Sequence, residues 1–361
     1  MEKIDKITIL GFKSIKKLKD FELKNINILI GVNGAGKSNF VNVFKILSAI
    51  AKQELQNYVV KDGNNPDDYL FMGRKITHTC KIRVESGNNG YEVFLSVNPN
   101  NQLYIESDNA ILLSNYAATH TDWVNTASSN VLESDIMAKN TNIIRYTKPI
   151  LTSFKIYHFH DTGKNSPIIT PCNIGDNLVF KENGHNIAPF LKMLKDNYIK
   201  SYNRILDVVK IALPFFKDFH FRDKENIDLE WFQTGDSETP LKGKLLSDGS
   251  LRFICLCVAL LQPFELMPRV IIIDEPELGL HPAAIHLLSE LIKRVSKKKQ
   301  VIISTQSAEL LNYFEPKDVI TVSRKNGESI LQRLSNNDFE IWLEDYSLGQ
   351  IWSNNILDDN K

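Results

Sequence analysis

The sequence predicts an α/β fold around a mainly parallel sheet, because short apolar runs alternate with segments of helical periodicity. Three runs have the composition of strands buried on both faces, and they cover residues 26–30, 270–273 and 301–305. Apolar residues recur at three- and four-residue steps over 40–50 and 282–293, which follow two of these runs. Helices that connect parallel strands are therefore the expected frame of the protein.

The other predicted elements add an antiparallel part and a mixed part. Residues 14–20 are turn-like in sequence, and 107–150 have no clear pattern. The remaining predictions, in chain order, are a strand over 4–12, a hairpin of 76–85 and 91–97 around a Gly-Asn-Asn-Gly turn, a third strand near 102–106, a strand at 154–159, a helix over 186–213, a strand at 219–232 and a helix over 251–261.

Length and charge exclude several classes of protein. The 361 residues, 43% of them hydrophobic, suit one large domain or two modest ones of roughly 150 residues each. The 43 Lys and Arg balance the 43 Asp and Glu, so a polycation that coats nucleic acid is excluded, although a local basic groove is not. The sequence starts without a signal-peptide pattern, and no run approaches the roughly 20 apolar residues of a membrane span. We expect a soluble, cytoplasmic protein without a membrane partner.

The cysteines do not have the spacing of a zinc site, because Cys255 and Cys257 are too close for a metal-binding pair and no cluster of His and Cys accompanies them. Cysteines that bind no metal are usually buried. The sequence therefore predicts buried free thiols in a reducing compartment, at Cys80, Cys172, Cys255 and Cys257.

Residues 31–38, Gly-Val-Asn-Gly-Ala-Gly-Lys-Ser, match the pattern G-x-x-x-x-G-K-[ST] at every defined position. A buried strand precedes this loop and an amphipathic helix follows it, which is the context of a phosphate-binding loop. Glycines let the backbone turn its N–H groups towards phosphate oxygens, and the helix N-terminus adds a favourable dipole. Lys37 is predicted to reach the β- and γ-phosphates of a nucleotide, and Ser38 to bind Mg²⁺.

Two carboxylates, Asp274 and Glu275, end the apolar run 270–273. In a protein with a phosphate loop this is the position of the Walker B motif, whose Asp holds Mg²⁺ directly or through water. Successive residues at the end of a strand point to different sides, so the two carboxylates can do different work. Glu275 is predicted to polarise the water that attacks the γ-phosphate.

Together these motifs resemble the ABC-type ATPase heads of the RecF-like and SMC-like branch. More narrowly, the chain is similar to the small bacterial AAA-family ATPases of the AAA15/AAA21 type, many of them related to the OLD ATPases. Residues 9–15, Ile-Leu-Gly-Phe-Lys-Ser-Ile, resemble the opening strand of those heads. Residues 246–252, Leu-Ser-Asp-Gly-Ser-Leu-Arg, resemble the ABC signature, and residues 274–282 resemble Walker B running into the D-loop. Segments 157–162 and 342–349 are also similar to the small bacterial subgroup.

The resemblance covers residues 1–50 and 240–325 and the middle of the chain loosely. It implies a P-loop NTPase of the ABC-ATPase head type that uses ATP and Mg²⁺ and hydrolyses ATP to ADP and phosphate. It assigns Mg²⁺ to Ser38 and Asp274, and catalysis to Glu275, Lys37 and Gln306. The implied nucleotide contacts lie in the phosphate loop and the signature, at Asn33, Gly34, Ala35, Gly36, Lys37, Ser38, Asn39, Ser247, Asp248 and Gly249.

In the family, the signature of one subunit caps the γ-phosphate that the other subunit holds. The resemblance therefore implies a homodimer with two ATP molecules sandwiched between the heads. Taken alone, residues 247–249 also fit a plain cap at the start of a helix.

Two positions depart from the family's pattern. Most ABC heads place a His after the third strand to touch the γ-phosphate, whereas this sequence has Gln306. A Gln can hydrogen-bond a phosphate or a water but carries no charge, and slow turnover is one consequence. The glutamine of the Q-loop is unassigned, because Gln53 and Gln56 come too early in the chain.

Two further clusters allow a structural and a chemical interpretation. His158, His160 and Asp161 contain the minimum for a metal site, but no third His is near, and a structural or nucleotide-proximal role is favoured. A basic run follows the helix over 282–293, where cations interact favourably with a helix C-terminus; a contact to nucleic acid is the alternative. This run consists of Arg294, Lys297, Lys298 and Lys299.

The sequence predicts an ABC-type ATPase that dimerises on ATP and controls a partner protein. By family analogy the setting is bacterial anti-phage defence or a toxin-like system, and the partner is an effector nuclease or toxin encoded nearby. One alternative is a nucleotide-bound regulatory or scaffold subunit with little turnover. Another is a DNA-binding ATPase of the DNA-repair type, against which the zero net charge argues. A nuclease within the chain is not expected, because few residues follow 325.

Four segments are expected along the chain: an N-terminal ATPase lobe at 1–106, a mixed insertion at 107–240, a C-terminal ATPase lobe at 241–325 and a tail at 326–361. The tail is predicted to dock on the head or on a partner, because apolar residues cluster in it. These residues are Ile341, Trp342, Leu343, Tyr346, Leu348, Ile351 and Trp352.

Overall fold

The computed structural model describes residues 3–61, 65–113, 123–163, 165–236, 238–335 and 345–354. Ile341, Trp342 and Leu343 of the predicted tail cluster lie outside these residues, as does the start of the closing motif 342–349. The described helices are α1 (Lys37–Lys52), α2 (Leu55–Lys61), α3 (Asn142–Thr152), α4 (Ile187–Asn197), α5 (Ile199–Ala212), α6 (Asp248–Leu261), α7 (Pro282–Ser296), α8 (Ala308–Leu311) and α9 (Leu348–Ser353).

The described strands fall into antiparallel and parallel groups. They are β1 (Lys6–Phe12), β2 (Ile15–Glu22), β3 (Ile26–Ile30), β4 (Thr79–Ser86), β5 (Asn89–Val97), β6 (Leu103–Leu112), β7 (Trp123–Val131), β8 (Phe154–Tyr157), β9 (Cys172–Asn173), β10 (Phe216–His220), β11 (Asn226–Ile227), β12 (Glu230–Gln233), β13 (Leu241–Lys242), β14 (Val270–Asp274), β15 (Gln300–Thr305), β16 (Val319–Lys325) and β17 (Glu328–Arg333).

The first of two compact units combines Met1–Phe154, Pro316–Ile341 and Asn355–Lys361. Its antiparallel sheet has the strand order β2-β1-β4-β5-β6-β7, and α3 packs on β5 and β6. In the same unit β3 pairs in parallel with β16, and β16 pairs antiparallel with β17. The side chains of residues 28–30 are fully buried, so β3 holds the start of the phosphate loop in a solid core.

The second unit combines Lys155–Glu315 and Trp342–Asn354. Its central pair, β14 and β15, is parallel and in register from Val270 opposite Gln300 to Asp274 opposite Ser304. Helix α6 packs against α5 and α7, and its apolar residues are buried because ten of its fourteen positions are hydrophobic. A small antiparallel sheet of β10, β12 and β13 lies in this unit as well.

The structure corrects two predicted elements. Residues 14–20, expected as a turn, belong largely to strand β2, which pairs with β1. The alternation is hidden because this pairing has a bulge between Ile7 and Ile9, so the buried residues of β2 are Ile15 and Leu18, three apart. The helix expected over 186–213 is two helices that meet at Tyr198, whose backbone is not helical.

The boundaries of the compact units differ from those of the four predicted segments. Strand β6 continues to Leu112 and pairs with β7, so residues after 106 extend the antiparallel sheet of the first unit. Residues 155–240 belong to the second unit. Strand β7 is rich in Ser, Thr and Asn, so no apolar pattern in the sequence marks this division.

The tail helix α9 lies on α8, in the second unit. The Gly349 N–H donates to the Asn312 side chain at 2.8 Å, and the side chains of Leu348 and Ile351 are buried. All four cysteines are buried and free, and burial raises the pKa of the Cys80 thiol to about 12. None of the described helices is long and apolar enough to cross a lipid bilayer.

Candidate functional site

The phosphate loop turns tightly between β3 and α1. Gly34 and Gly36 both have left-handed backbones, with φ of 77° and 115°, which a residue with a Cβ rarely adopts. The Lys37 ammonium donates to the carbonyls of Gly31 at 2.7 Å and Val32 at 3.2 Å. The loop is therefore curled around its own lysine.

A hydrogen-bond network of three polar side chains holds this loop in place. The Ser329 hydroxyl of β17 donates to the Ala35 carbonyl at 2.6 Å and also lies 2.6 Å from the Ser14 hydroxyl. The Asn39 amide donates to Ser14 at 2.6 Å. A Cβ on Gly36 would lie 2.1 Å from the Ser329 oxygen, so only glycine fits at this position.

The predicted nucleotide contacts of the loop differ in exposure. Asn33, Gly34 and Ser38 are exposed, whereas Ala35 and Lys37 are buried in the loop. The Arg324 guanidinium of β16 donates to the Gly34 carbonyl at 3.2 Å, which adds a positive charge beside the loop. One side of the loop is thus accessible to a ligand, while hydrogen bonds from Ser329 and Arg324 hold its backbone in place.

An open cavity of about 600 Å³ lies beside this loop in the first unit. Its walls include the side chains of Ser14, Asn39 and Arg324, which also brace the loop, together with Lys13 and Asp68. A space of this size and polarity suits a small ligand.

In the second unit, β14 presents the predicted acidic pair at its end. Asp274 and Glu275 are both partly exposed. The Glu275 N–H donates to the Ser304 carbonyl at 2.7 Å, and Glu275 has a positive φ of 44°. Such a backbone conformation is strained for a residue with a side chain. It turns the chain at Glu275 away from the direction of strand β14.

Gln306 and Glu277 form a hydrogen-bonded network with Glu275. The Gln306 side-chain amide donates to a Glu275 carboxylate oxygen. The Glu277 carboxylate accepts from the Thr305 hydroxyl at 2.5 Å and from the Gln306 N–H at 3.3 Å. Burial raises the pKa of the Glu277 carboxyl, against the opposing effect of the Thr305 hydroxyl. Its other oxygen is buried without a partner among the described residues.

The signature corner, which comprises residues 247–249, lies at the start of α6. The Ser247 hydroxyl caps this helix by accepting from the Ser250 N–H at 3.2 Å, so the simple interpretation as a helix cap is also satisfied. Ser247 and Asp248 are exposed. A Cβ on Gly249 would lie 2.2 Å from the Gly279 carbonyl oxygen, so the corner and the D-loop are in backbone contact.

Arg252 connects this corner to two other segments of the second unit. Its guanidinium donates to the Leu278 carbonyl at 2.9 Å, the Phe159 carbonyl at 3.1 Å and the His160 carbonyl at 3.0 Å. Signature helix, D-loop and the segment after β8 are therefore held by one side chain.

The remaining candidates have structural surroundings. The side-chain amide of Gln53 donates to the Ser134 carbonyl at 2.9 Å, and that of Gln56 to the Leu103 carbonyl at 2.7 Å. Strand β8 ends at Tyr157, so it is shorter than the predicted strand 154–159, and His158 and His160 both lie after it. Among the described residues, no group of three His, Cys, Asp or Glu side chains could hold a metal ion.

The sequence motifs predict no role for Glu277 or Arg252, although both stand inside the quoted segments, where a charged side chain is a usable signal. No local pattern in the sequence marks Ser329 or Arg324. These residues reach the phosphate loop only because β16 pairs with β3, almost 300 positions earlier in the chain.

Sequence comparisons support the resemblance. Residues 180–312 match the family model described as "AAA domain, putative AbiEii toxin, Type IV TA system". The Old nuclease of Escherichia phage P2 is 26% identical over 227 residues, which are 59% of this chain and 37% of that protein. The chain thus spans little more than a third of this curated relative's length. The predicted resemblance to AAA-family ATPases related to the OLD and SMC groups is confirmed.

Solved structures of SMC heads are similar over nearly the whole chain. The SmcHead bound to the C-winged helix domain of ScpA has a TM-score of 0.58 at 17% identity, covering 93% of this chain and 99% of that one. The Smc head domain with an extended coiled coil, bound to the C-terminal domain of ScpA from Pyrococcus furiosus, has a TM-score of 0.58 at 16% identity, covering 96% and 99%. The predicted fold class, a P-loop NTPase of the ABC-ATPase head type, is confirmed.

Proposed function

We propose that this chain, which has the fold of an ABC-ATPase head, is a Mg²⁺-dependent ATPase that dimerises on ATP and controls a partner protein. ATP would lie on residues 33–39, with Lys37 on the β- and γ-phosphates. Ser38 and Asp274 would hold Mg²⁺, which neutralises the phosphate charge when bound. Glu275 would orient and polarise the attacking water, and Gln306 would position Glu275.

The geometry of the phosphate loop carries this proposal. A loop with two left-handed glycines, a buried lysine bonded to its own carbonyls and an exposed Ser38 fits a bound phosphate chain. A Cβ at Gly36 would clash with the Ser329 and Ser14 hydroxyls that hold the loop in this conformation. The polar cavity beside the loop supplies room for the rest of a nucleotide.

The exposed signature corner supports a dimer. Ser247 and Asp248 are accessible at a helix N-terminus, where backbone N–H groups favour an anion. We infer that this corner closes over the γ-phosphate of a second copy. The proposed partner is an effector nuclease or toxin encoded nearby, in keeping with a family description that names a toxin system and a relative named as a nuclease.

A second candidate is a regulatory subunit with little turnover. The observation that favours it is the hydrogen bond from Gln306 to Glu275, since it occupies an oxygen that a catalytic base would offer to water. Turnover slower than about one per several minutes at saturating ATP, unchanged by DNA or partner, would favour this candidate over the first.

The test is the oligomeric state of Glu275→Gln with and without Mg²⁺-ATP, measured by light scattering on a sizing column. We expect a monomer without ATP and a stable dimer with it, because binding remains while hydrolysis stops. Lys37→Ala is the matched control and should stay monomeric. If fluorescent ATP binds neither the wild type nor Glu275→Gln, the proposal is wrong.

A further inference from the structure

A cavity of about 420 Å³ lies in the second unit, at the ends of α5, α6 and α7. It contains none of the residues assigned to ATP, Mg²⁺ or the signature. Its charged lining comes from Lys200 and Arg204 on α5, Arg294 on α7 and Glu265 in the loop after α6. Arg294 is the first residue of the basic run that the proposed function leaves without a role.

Two arginines face this cavity without a carboxylate partner. Arg204 is exposed and Arg294 is half-buried, and the described residues give neither of them a hydrogen bond or an ion pair within 4.0 Å. Burial, together with the nearby charge of Arg204, lowers the pKa of the Arg294 guanidinium. Two like charges held together are unfavourable unless an anion joins them.

The start of α5 adds a favourable dipole to the same cavity. Helix α5 is fourteen residues long, and no side chain caps its N-terminus at Tyr198. Its first residues, Ile199, Lys200 and Ser201, line the cavity. The positive end of α5 attracts anions, whereas the C-terminal ends of α6 and α7 border the same cavity and oppose that effect, so its positive character comes mainly from the cationic side chains.

The cationic surface continues beyond the cavity along the end of α7. Lys297 and Lys298 are exposed, and the Lys298 ammonium lies 4.7 Å from the centre of the Phe264 ring, which also lines the cavity. Leu260 and Leu261 give the cavity an apolar floor. Cations around an aromatic ring and an apolar surface suit a ligand that combines phosphate with a flat base.

We propose that this cavity binds a phosphate group, whose oxygens are held by Arg204 and Arg294. The phosphate belongs to a nucleotide or to a nucleic-acid strand, and the row of cations along α7 favours the strand. This inference is independent of the ATP site, because it rests on other residues of the chain.

The test is binding of a short fluorescein-labelled single-stranded DNA to the full chain, followed by fluorescence anisotropy over a series of salt concentrations. We expect Arg204→Glu and Arg294→Glu to weaken binding by about tenfold or more each, because each removes a charge-assisted hydrogen bond to phosphate. The slope of log affinity against log salt should fall by about 0.7 for each phosphate that is no longer neutralised. Circular dichroism shows whether a charge reversal unfolds the protein. If it does, the milder Arg204→Gln and Arg294→Gln variants take its place, and we expect them to weaken binding as well.

Lys210→Glu is the matched control, because Lys210 is an exposed cation on the same helix α5 that does not line the cavity. It should bind like the wild type, and so should Lys37→Ala, which separates this site from the phosphate loop. In Lys37→Ala, whose phosphate loop is impaired, displacement of a fluorescent nucleotide by AMP and by inorganic phosphate, without any DNA binding, would support the site with a free nucleotide as its source. The proposal is overturned if DNA, AMP and inorganic phosphate all fail to bind Lys37→Ala, or if Lys210→Glu weakens binding as much as Arg204→Glu.

Discussion

The Gln306 side chain stands in hydrogen-bond contact with the proposed catalytic base, Glu275. A neutral amide can hold a carboxylate in one orientation without changing its charge, so its contribution is geometric rather than electrostatic. In the proposed reaction this orientation aims Glu275 at water.

Gln306→Ala should lower the ATP turnover rate by about tenfold, because the substitution removes one hydrogen bond that orients the base. Binding of fluorescent ATP should stay unchanged, since Gln306 is not expected to hold the nucleotide in the ground state. Gln332→Ala, at an exposed position of β17, is the control. An unchanged turnover rate in Gln306→Ala would show that the hydrogen bond has no role in catalysis.

Glu277 provides a pH-dependent contribution to stability. Its pKa is raised above the ordinary 4.5 by burial, so the folded state binds a proton more tightly than the unfolded chain. Stability from this residue is fully present below the ordinary pKa and declines as pH rises through the raised pKa. Above that value the buried charge remains a constant cost.

Glu277→Gln keeps an acceptor for Thr305 and Gln306 but cannot ionise. Urea unfolding between about pH 4 and pH 8 should therefore show the variant gaining stability relative to the wild type as pH rises. Parallel pH profiles for the two proteins would contradict the raised pKa.

At the scale of elements, the contact between the start of α6 and the D-loop depends on glycine. A Cβ on Gly249 would meet the Gly279 carbonyl oxygen at 2.2 Å, so one of the two segments would have to move. Gly249→Ala should lower the free energy of unfolding by about 1–3 kcal/mol and weaken the ATP-dependent dimer, while ATP still binds the phosphate loop. Thermal unfolding and sizing on a column measure both effects.

Gly163→Ala is a matched control for Gly249→Ala, because the nearest atom to its added Cβ would lie 3.7 Å away. It should unfold and dimerise like the wild type. A normal dimer in Gly249→Ala would mean that the corner tolerates the shift and that its contact with the D-loop is not needed for assembly.

The sequence predicts those elements whose pattern is local. Strands β3, β14 and β15 are short apolar runs, and the phosphate loop and the signature are compact motifs, so all of them are visible in the residues themselves. Strand β2 was missed because a bulge disturbs its alternation. Ser329 and Arg324 were missed because only the pairing of distant strands brings them to the loop, and such pairing leaves no local pattern.

On the scale of the whole molecule, the proposed site has parts far apart in the chain. The phosphate loop belongs to the first compact unit, and the signature corner belongs to the second. In the proposed dimer each ATP uses the loop of one copy and the corner of the other. A variant with a defective phosphate loop and a variant with a defective signature corner should therefore restore ATPase activity when the two are mixed.

Lys37→Ala removes the lysine of the loop, and Ser247→Arg blocks the exposed corner with a bulky cation. Each variant alone should be inactive, because Lys37→Ala stays monomeric and every site in a Ser247→Arg homodimer has a blocked corner. In a mixed dimer one site combines both defects, whereas the other joins an intact loop to an intact corner. An equimolar mixture should recover at most about half of the wild-type ATPase rate, since only mixed pairs close on ATP and each has one working site of two. If mixing restores no activity while light scattering shows that mixed dimers form, the two parts do not act across the interface, and the corner works within its own copy or not at all.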